Sequence, residues 1–351
     1  MKYGFIKVAA ASPALRVADC RYNAEQSVAA MQRAAAAGVR LLVLPELGLT
    51  GYTCGDLLLQ PVLQQEALHA LQTLLAVSAG LPMTTVAGLP LEVEGKLYNC
   101  AAVLHGGKIL GVVPKTNLPN YGEFYEARWF TPAPAETKAI SLLGQQVPFS
   151  TDLLFCCREL PEYKLAVEIC EDLWVALPPS TRHAMAGATV IANCSASDET
   201  IGKAEYRREL ITGQSARLMA GYLYADAGRG ESTTDMVFAG HDLIAENGRL
   251  LAETALFTNE MIVTEIDVHR LTAERRRTNT WRAADSAGYT IIPFSLPAEV
   301  TTLTRLIDPH PFVPADSAER KQRCEAILTM QAEGLRRRLE HPALGYTMHD
   351  D

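Results

Sequence analysis

A chain of 351 residues exceeds the usual single-core domain, although a layered α/β fold reaches this size as one unit. Its 32 basic and 40 acidic residues give a formal net charge of −8, which argues against a surface that coats nucleic acid or clings to an anionic membrane. Its eight cysteines (Cys20, Cys54, Cys100, Cys156, Cys157, Cys170, Cys194 and Cys324) form no C-x-x-C pair and have no histidine at finger-like spacing. No metal site is therefore expected, and the scattered thiols fit a reducing compartment.

The opening MKYGFIKVAAASPA imitates a signal peptide, but Lys7 interrupts its apolar stretch, and a first strand explains it better. We therefore expect a cytoplasmic protein, and no apolar run approaches the roughly 20 residues that span a bilayer. Residues 23–39 have an Ala-rich helical composition with Gly38 as the stop. Residues 40–52, RLLVLPELGLTGY, are a continuous apolar strand of the doubly buried kind, broken at Pro45 and followed at once by Glu46. A helix over 60–80, a strand over 84–90 and a hairpin over 96–115 with Gly106 and Gly107 at its turn come next, and Lys115 ends the hairpin.

The second half repeats the alternation. Residues 163–170 form a strand, 178–188 a short helix, 189–197 a strand, 203–221 a helix and 222–228 a strand. Two further strand-like runs, 235–245 and 249–255, flank the turn ENG, and 261–268 adds another. The pattern is a mixed α/β sheet with helical cover. After the Pro-rich connector IDPHPFVPAD, residues 316–340 begin with Asp316 and Glu319 at capping-box spacing and carry Cys324, Ile327, Leu328, Leu335 and Leu339 near one face. This terminal helix is expected to dock elsewhere. The basic run ERRRTNTWR, 274–282, is expected to be a solvated or subunit-contact face.

Glu46, Lys115 and Cys170 each stand just past an apolar strand, where open α/β sheets present reactive groups to ligands. Each alone has a plainer reading: a helix-entry acid, a solvated loop lysine and a packing thiol. Together they offer a base, a cation and a nucleophile, a complete set for attack on an amide.

LLVLPELGLTGY, VPKTNLPNYGEFYEARWF and VEICEDLW resemble the three signature segments of the nitrilase (carbon-nitrogen hydrolase) superfamily. More narrowly, with NCSASDETIGKAEYRREL, they resemble the glutaminase domain of glutamine-dependent NAD synthetases. The resemblance implies an α-β-β-α sandwich over residues 1–300 and a connector with a C-terminal helix over 301–351. It implies cysteine-dependent hydrolysis of the glutamine side-chain amide, without a cofactor, to supply ammonia for NAD synthesis from deamido-NAD. Cys170 would be the nucleophile, Glu46 the general base and acid, and Lys115 the oxyanion holder. Glu126 matches a second acid near the lysine, or else is a surface acid paired with Arg128. Tyr121, Ser197 and Lys203 match positions that hold the amino-acid end of glutamine; Tyr52 and Trp174 wall the pocket or simply pack the core. The implied partners are an ATP-dependent NAD synthetase domain or subunit and further copies of the chain, with neither nucleic acid nor membrane. The S-G-G-x-D-S segment of that synthetase domain does not occur, so the domain is expected to be absent from this chain. A free-standing amidase for another small amide and an idle scaffold subunit are the competing readings.

Overall fold

The computed structural model describes residues 1–282 and 284–340. Residues 1–304 form one compact unit, and a second begins at Arg305. In chain order the first half contains β1 (Phe5–Ala11), α1 (Cys20–Ala36), β2 (Leu41–Val43), α2 (Pro61–Ser78), β3 (Thr84–Val93), β4 (Lys96–His105), β5 (Lys108–Pro114), β6 (Lys138–Leu142), β7 (Gln145–Phe149) and β8 (Leu153–Cys157). The rest of the first unit contains β9 (Lys164–Ile169), α3 (Pro179–Met185), β10 (Val190–Cys194), α4 (Lys203–Leu218), β11 (Gly221–Ala225), β12 (Leu243–Glu246), β13 (Arg249–Glu253), β14 (Met261–Asp267), α5 (Val268–Arg277) and β15 (Thr290–Phe294). The second unit carries α6 (Ser317–Leu339).

The strands form two sheets, ordered β14-β1-β2-β3-β4-β5-β7-β6 and β13-β12-β11-β10-β9-β8-β15. Strands β1, β2 and β3 run parallel at the centre of the first, and β9, β10 and β11 at the centre of the second. Alternate residues of these strands enter different cores, as a period of two requires. Ile6, Val8 and Ala10 of β1 share a core with Leu165, Val167 and Ile169 of β9, between the two sheets. Ala9 and Ala11 instead meet Ala30, Met31 and Leu71 of α1 and α2. Ala166, Ile191, Tyr222 and Tyr224 face Ala184, Ile211 and Leu218 of α3 and α4. The architecture is thus helix, sheet, sheet, helix, and it explains why these strands are mostly apolar on both faces, with Lys7, Glu168 and Asn193 as buried exceptions.

Several expected boundaries change. The run at 40–52 contributes only three strand residues, because the chain turns at Pro45 and carries Leu47 at φ +48°. The run at 235–245 pairs regularly only from Leu243; Gly240, at φ +63°, breaks it, and a Cβ there would sit 2.8 Å from the Thr258 carbonyl oxygen. The basic run is not simply solvated, since it closes α5. Arg275 is buried and donates from Nη2 to the carbonyl oxygens of Ala188 and Leu218 at 2.7 and 2.8 Å, whereas Arg276 and Arg277 are exposed. Asp316 caps α6 by accepting from the Glu319 amide at 2.8 Å, and all residues of that helix are exposed. Among the described residues no helix is long and apolar enough to cross a membrane.

Candidate active site

The three strand ends converge. Lys115 follows β5 directly, Cys170 follows β9 directly, and Glu46 lies three residues past β2. The Glu46 turn rests against β3 at Gly88, where a Cβ would lie 2.4 Å from the Leu47 nitrogen and 2.5 Å from the Pro45 carbonyl oxygen. Only glycine allows so close a backbone approach. On its other side the Glu46 amide donates to the Ser195 carbonyl oxygen at 3.2 Å, tying the first sheet to the loop after β10.

Lys115 is fully buried, with Nζ 2.6 Å from Glu46 Oε1 and 2.6 Å from Glu126 Oε1. Asn99 donates from Nδ2 to Glu46 Oε1 at 2.6 Å and reaches Glu126 Oε2 at 3.5 Å, while the Tyr52 hydroxyl donates to Glu126 Oε1 at 2.8 Å. Glu126 is therefore no surface acid paired with Arg128, which instead forks onto Asp56 at 2.7 and 2.8 Å. Burial alone would push the Lys115 ammonium down, but Glu126 and Glu46 outweigh it and hold it well above its ordinary value. Burial raises Glu126 to about 7 against the pull of Lys115, with the Glu46 charge adding to the rise. Glu46 Oε2 is buried and has no hydrogen-bond partner among the described residues, which leaves it free to accept one.

Cys170 sits at φ +45°, a strained conformation for a residue with a Cβ, on a sharp turn from β9 into a short 3₁₀ segment. Its amide donates to Asn193 Oδ1 at 2.9 Å. Burial pushes the thiol well above its usual range; the Glu46 charge adds to this and Lys115 opposes it. A thiol held towards its neutral form can act as a nucleophile only where a base takes its proton.

Of the remaining expected residues, Tyr121, Trp174 and Lys203 gather at a rim. The exposed Tyr121 donates to Glu171 Oε1 at 2.9 Å, and its ring meets Phe124 at 5.8 Å. Lys203 Nζ lies 5.8 Å from the Phe124 ring centroid and 5.4 Å from that of Trp174, and pairs with Asp198. A cavity of about 520 Å³ lined by Thr116, Asn117, Tyr121, Glu171 and Val175 lies between the chain that follows Lys115 and the chain that follows Cys170. Ser197 sits deeper, its hydroxyl accepting from Arg207 Nη2 at 3.1 Å. Tyr52 is buried against Phe238 and acts on Glu126 through its hydroxyl.

Sequence reasoning missed the groups that hold this arrangement. Asp172 accepts from the amide and side chain of Asn117, both at 2.8 Å, and from the Ile169 amide at 3.2 Å, which fastens the Lys115 loop to the Cys170 turn. Asn99 and Asn193 are amide side chains in largely buried strands, and that contrast with most of their neighbours was a usable signal. Among the described residues no group of three or more His, Cys, Asp or Glu side chains could hold a metal ion.

A thiol on a strained turn, a buried carboxylate and a buried ammonium between two sheets are the kinds of group that a carbon-nitrogen hydrolase requires. The chain belongs to that family: the carbon-nitrogen hydrolase family model matches residues 7–276. It is 43% identical to the glutamine-dependent NAD(+) synthetase of Mycobacterium bovis over 98% of this chain and 52% of that protein. The chain thus spans about half the length of the curated relatives it matches. A crystal structure of a glutamine-dependent NAD(+) synthetase from Cytophaga hutchinsonii superposes with a TM-score of 0.66 at 31% identity, covering 75% of this chain and 43% of that one. A nitrilase-superfamily member from Saccharomyces cerevisiae, at 18% identity and a TM-score of 0.62 over 80% of this chain and 96% of its own, shares the α-β-β-α sandwich.

Proposed function

We propose that this chain hydrolyses the side-chain amide of glutamine through a thioester on Cys170 and supplies the ammonia for NAD synthesis from deamido-NAD. The observation that carries the reading is the buried Glu46–Lys115–Glu126 cluster beside Cys170. As Sγ bonds to the amide carbon, Glu46 takes the thiol proton, while Lys115 and the Glu171 amide hold the developing oxyanion. A donor of this kind stabilises the transition state by about 3 to 4 kcal/mol. Collapse breaks the C–N bond, and Glu46 returns the proton to the departing ammonia. Glu46 next takes a proton from the water that attacks the thioester; glutamate leaves, and the thiol is restored. These steps use only side chains and backbone, so the reaction needs no cofactor.

Tyr121, Ser197, Lys203 and Trp174 are the proposed glutamine contacts, with a cation and hydroxyls suited to a carboxylate. The proposed partners are an ATP-dependent NAD synthetase domain or subunit and further copies of the chain, in the cytoplasm. Similarity to proteins named as glutamine-dependent NAD(+) synthetases supports this reading over a free-standing amidase. The test is ammonia release from glutamine compared with that from propionamide. Glutamine should be strongly preferred, and Cys170→Ala should abolish release with the fold intact. An electrophilic glutamine analogue should label Cys170 first among the eight cysteines. Preference for propionamide, or dominant labelling elsewhere, sinks the proposal.

A further inference from the structure

A second cavity, of about 490 Å³, opens at the end of the second sheet away from Cys170. Its walls are the turns leading into β9 and β10, at Lys164 and Thr189, and the last turn of α5 with the loop beyond it. Lys164 begins β9 and Ile169 ends it, so at about 3.3 Å per residue most of a strand, on the order of 16 Å or more, separates the cavity from Cys170.

The charge of this cavity is one-sided. Lys164, Arg275, Arg276 and Arg282 line it, against one carboxylate, Glu162, whose Oε2 lies 3.7 Å from His269 Nε2. Among the described residues none of the four cations forms an ion pair, although the chain as a whole is acidic. Arg276 and Arg282 are exposed and could be explained as a solvated face, but Arg275 could not. Arg275 is 8% exposed; its Nη2 donates to two carbonyl oxygens, its guanidinium lies 4.6 Å from the Trp281 ring centroid, and its buried Nε has no partner among the described residues. Carbonyl dipoles and an indole face compensate a buried cation only in part, and a full counter-charge is missing.

The volume falls within the range of small-molecule sites. The hydroxyls of Thr189, Thr272 and Thr278 already donate to carbonyl oxygens, so the side-chain donors left for a ligand are the cations, Asn279 and the Trp281 indole N–H. Cations distributed around one hollow match a group bearing several anionic oxygens better than a lone carboxylate, and arginine suits phosphoryl oxygens by its forked geometry. Trp281 adds a flat apolar wall. We propose that this cavity binds a phosphate-bearing small molecule of nucleotide type, its phosphoryl groups on Lys164, Arg275 and Arg276 and its planar part beside Trp281. The site stands apart from the amide chemistry and does not depend on it.

Titrating the 351-residue chain with ADP, followed by calorimetry and tryptophan fluorescence, tests the proposal. Binding should be saturable, and the double variant Lys164→Glu, Arg276→Glu should weaken it at least tenfold while the alkylation rate of Cys170 stays unchanged, which shows the fold is kept. Trp281→Phe should remove the fluorescence response. Inorganic pyrophosphate should compete, at least tenfold more weakly than ADP. Absence of saturable ADP binding, or binding indifferent to the double variant, overturns the site; pyrophosphate binding as tight as that of ADP overturns the placement of a ring beside Trp281.

Discussion

The Cys170 amide donates to Asn193 Oδ1 at 2.9 Å, and Asn193 Nδ2 in turn donates to the Tyr222 hydroxyl at 3.0 Å. The Tyr222 hydroxyl donates onward to Glu168, which also accepts from the Ser180 amide at 2.7 Å. A buried polar chain thus runs from α3 to the strained residue that carries the thiol, and it explains how a φ of +45° is maintained there.

Asn193→Ala should therefore act on both stability and chemistry. It leaves the Cys170 amide buried without an acceptor, a loss of about 1–3 kcal/mol, and it frees the turn that aims Sγ. Ammonia release should fall at least tenfold in kcat, while Tyr222→Phe, which keeps the Asn193 acceptor, should fall less. Chemical denaturation alongside steady-state kinetics checks this; a stability loss with unaltered kcat would show that Asn193 only packs.

The two acids on Lys115 should separate. Glu46→Gln removes the proposed proton acceptor and should lower turnover at least a hundredfold, in line with general-base contributions of about 10² to 10⁴. Glu126→Gln should cost less. Lys115→Met strands two buried carboxylates and should destabilise by about 3–5 kcal/mol; adding Glu126→Gln should recover part of that stability but none of the activity. Equal, mild losses at Glu46 and Glu126 would show that the base is misassigned.

Much of this site was legible because Glu46, Lys115 and Cys170 each follow a run whose two buried faces make it largely apolar. What escaped sequence reasoning is informative. Strands β6 and β15 lie at sheet edges with alternately exposed residues, so their composition resembles a loop. Helix α5 buries Val268, Leu271 and Arg275, and the arginine in the third position hides the apolar stripe behind a basic run. Hydrogen-bonding roles such as those of Asn99 and Asp172 depend on contacts between distant strands, which no local pattern encodes.

Stability should vary with pH through Glu168. Burial raises its carboxyl from 4.5 to about 7 against the hydrogen bond from Tyr222, so between those values the folded chain binds more protons than the unfolded one. The contribution is fully present below about 4.5 and is lost as pH rises through 7; it amounts to at most about 3 kcal/mol. Glu168→Gln should flatten the rise in stability measured by denaturation between pH 8 and pH 5.5. An unchanged slope would remove Glu168 as its source.

Lys203 should decide between glutamine and simpler amides. Its ammonium lies between the Trp174 and Phe124 rings and pairs with Asp198, at the rim where the amino-acid end of glutamine is proposed to sit. A cation already shared with aromatic faces and one carboxylate can still meet a second carboxylate, because an ammonium offers three donors. Lys203→Gln should raise KM for glutamine at least tenfold with little change in kcat, since the lost contact is equally strong in ground and transition states. Release from propionamide, which has no α-carboxylate, should be unaffected. Parallel losses on both amides would mean that Lys203 supports the fold of the rim and reads no substrate charge.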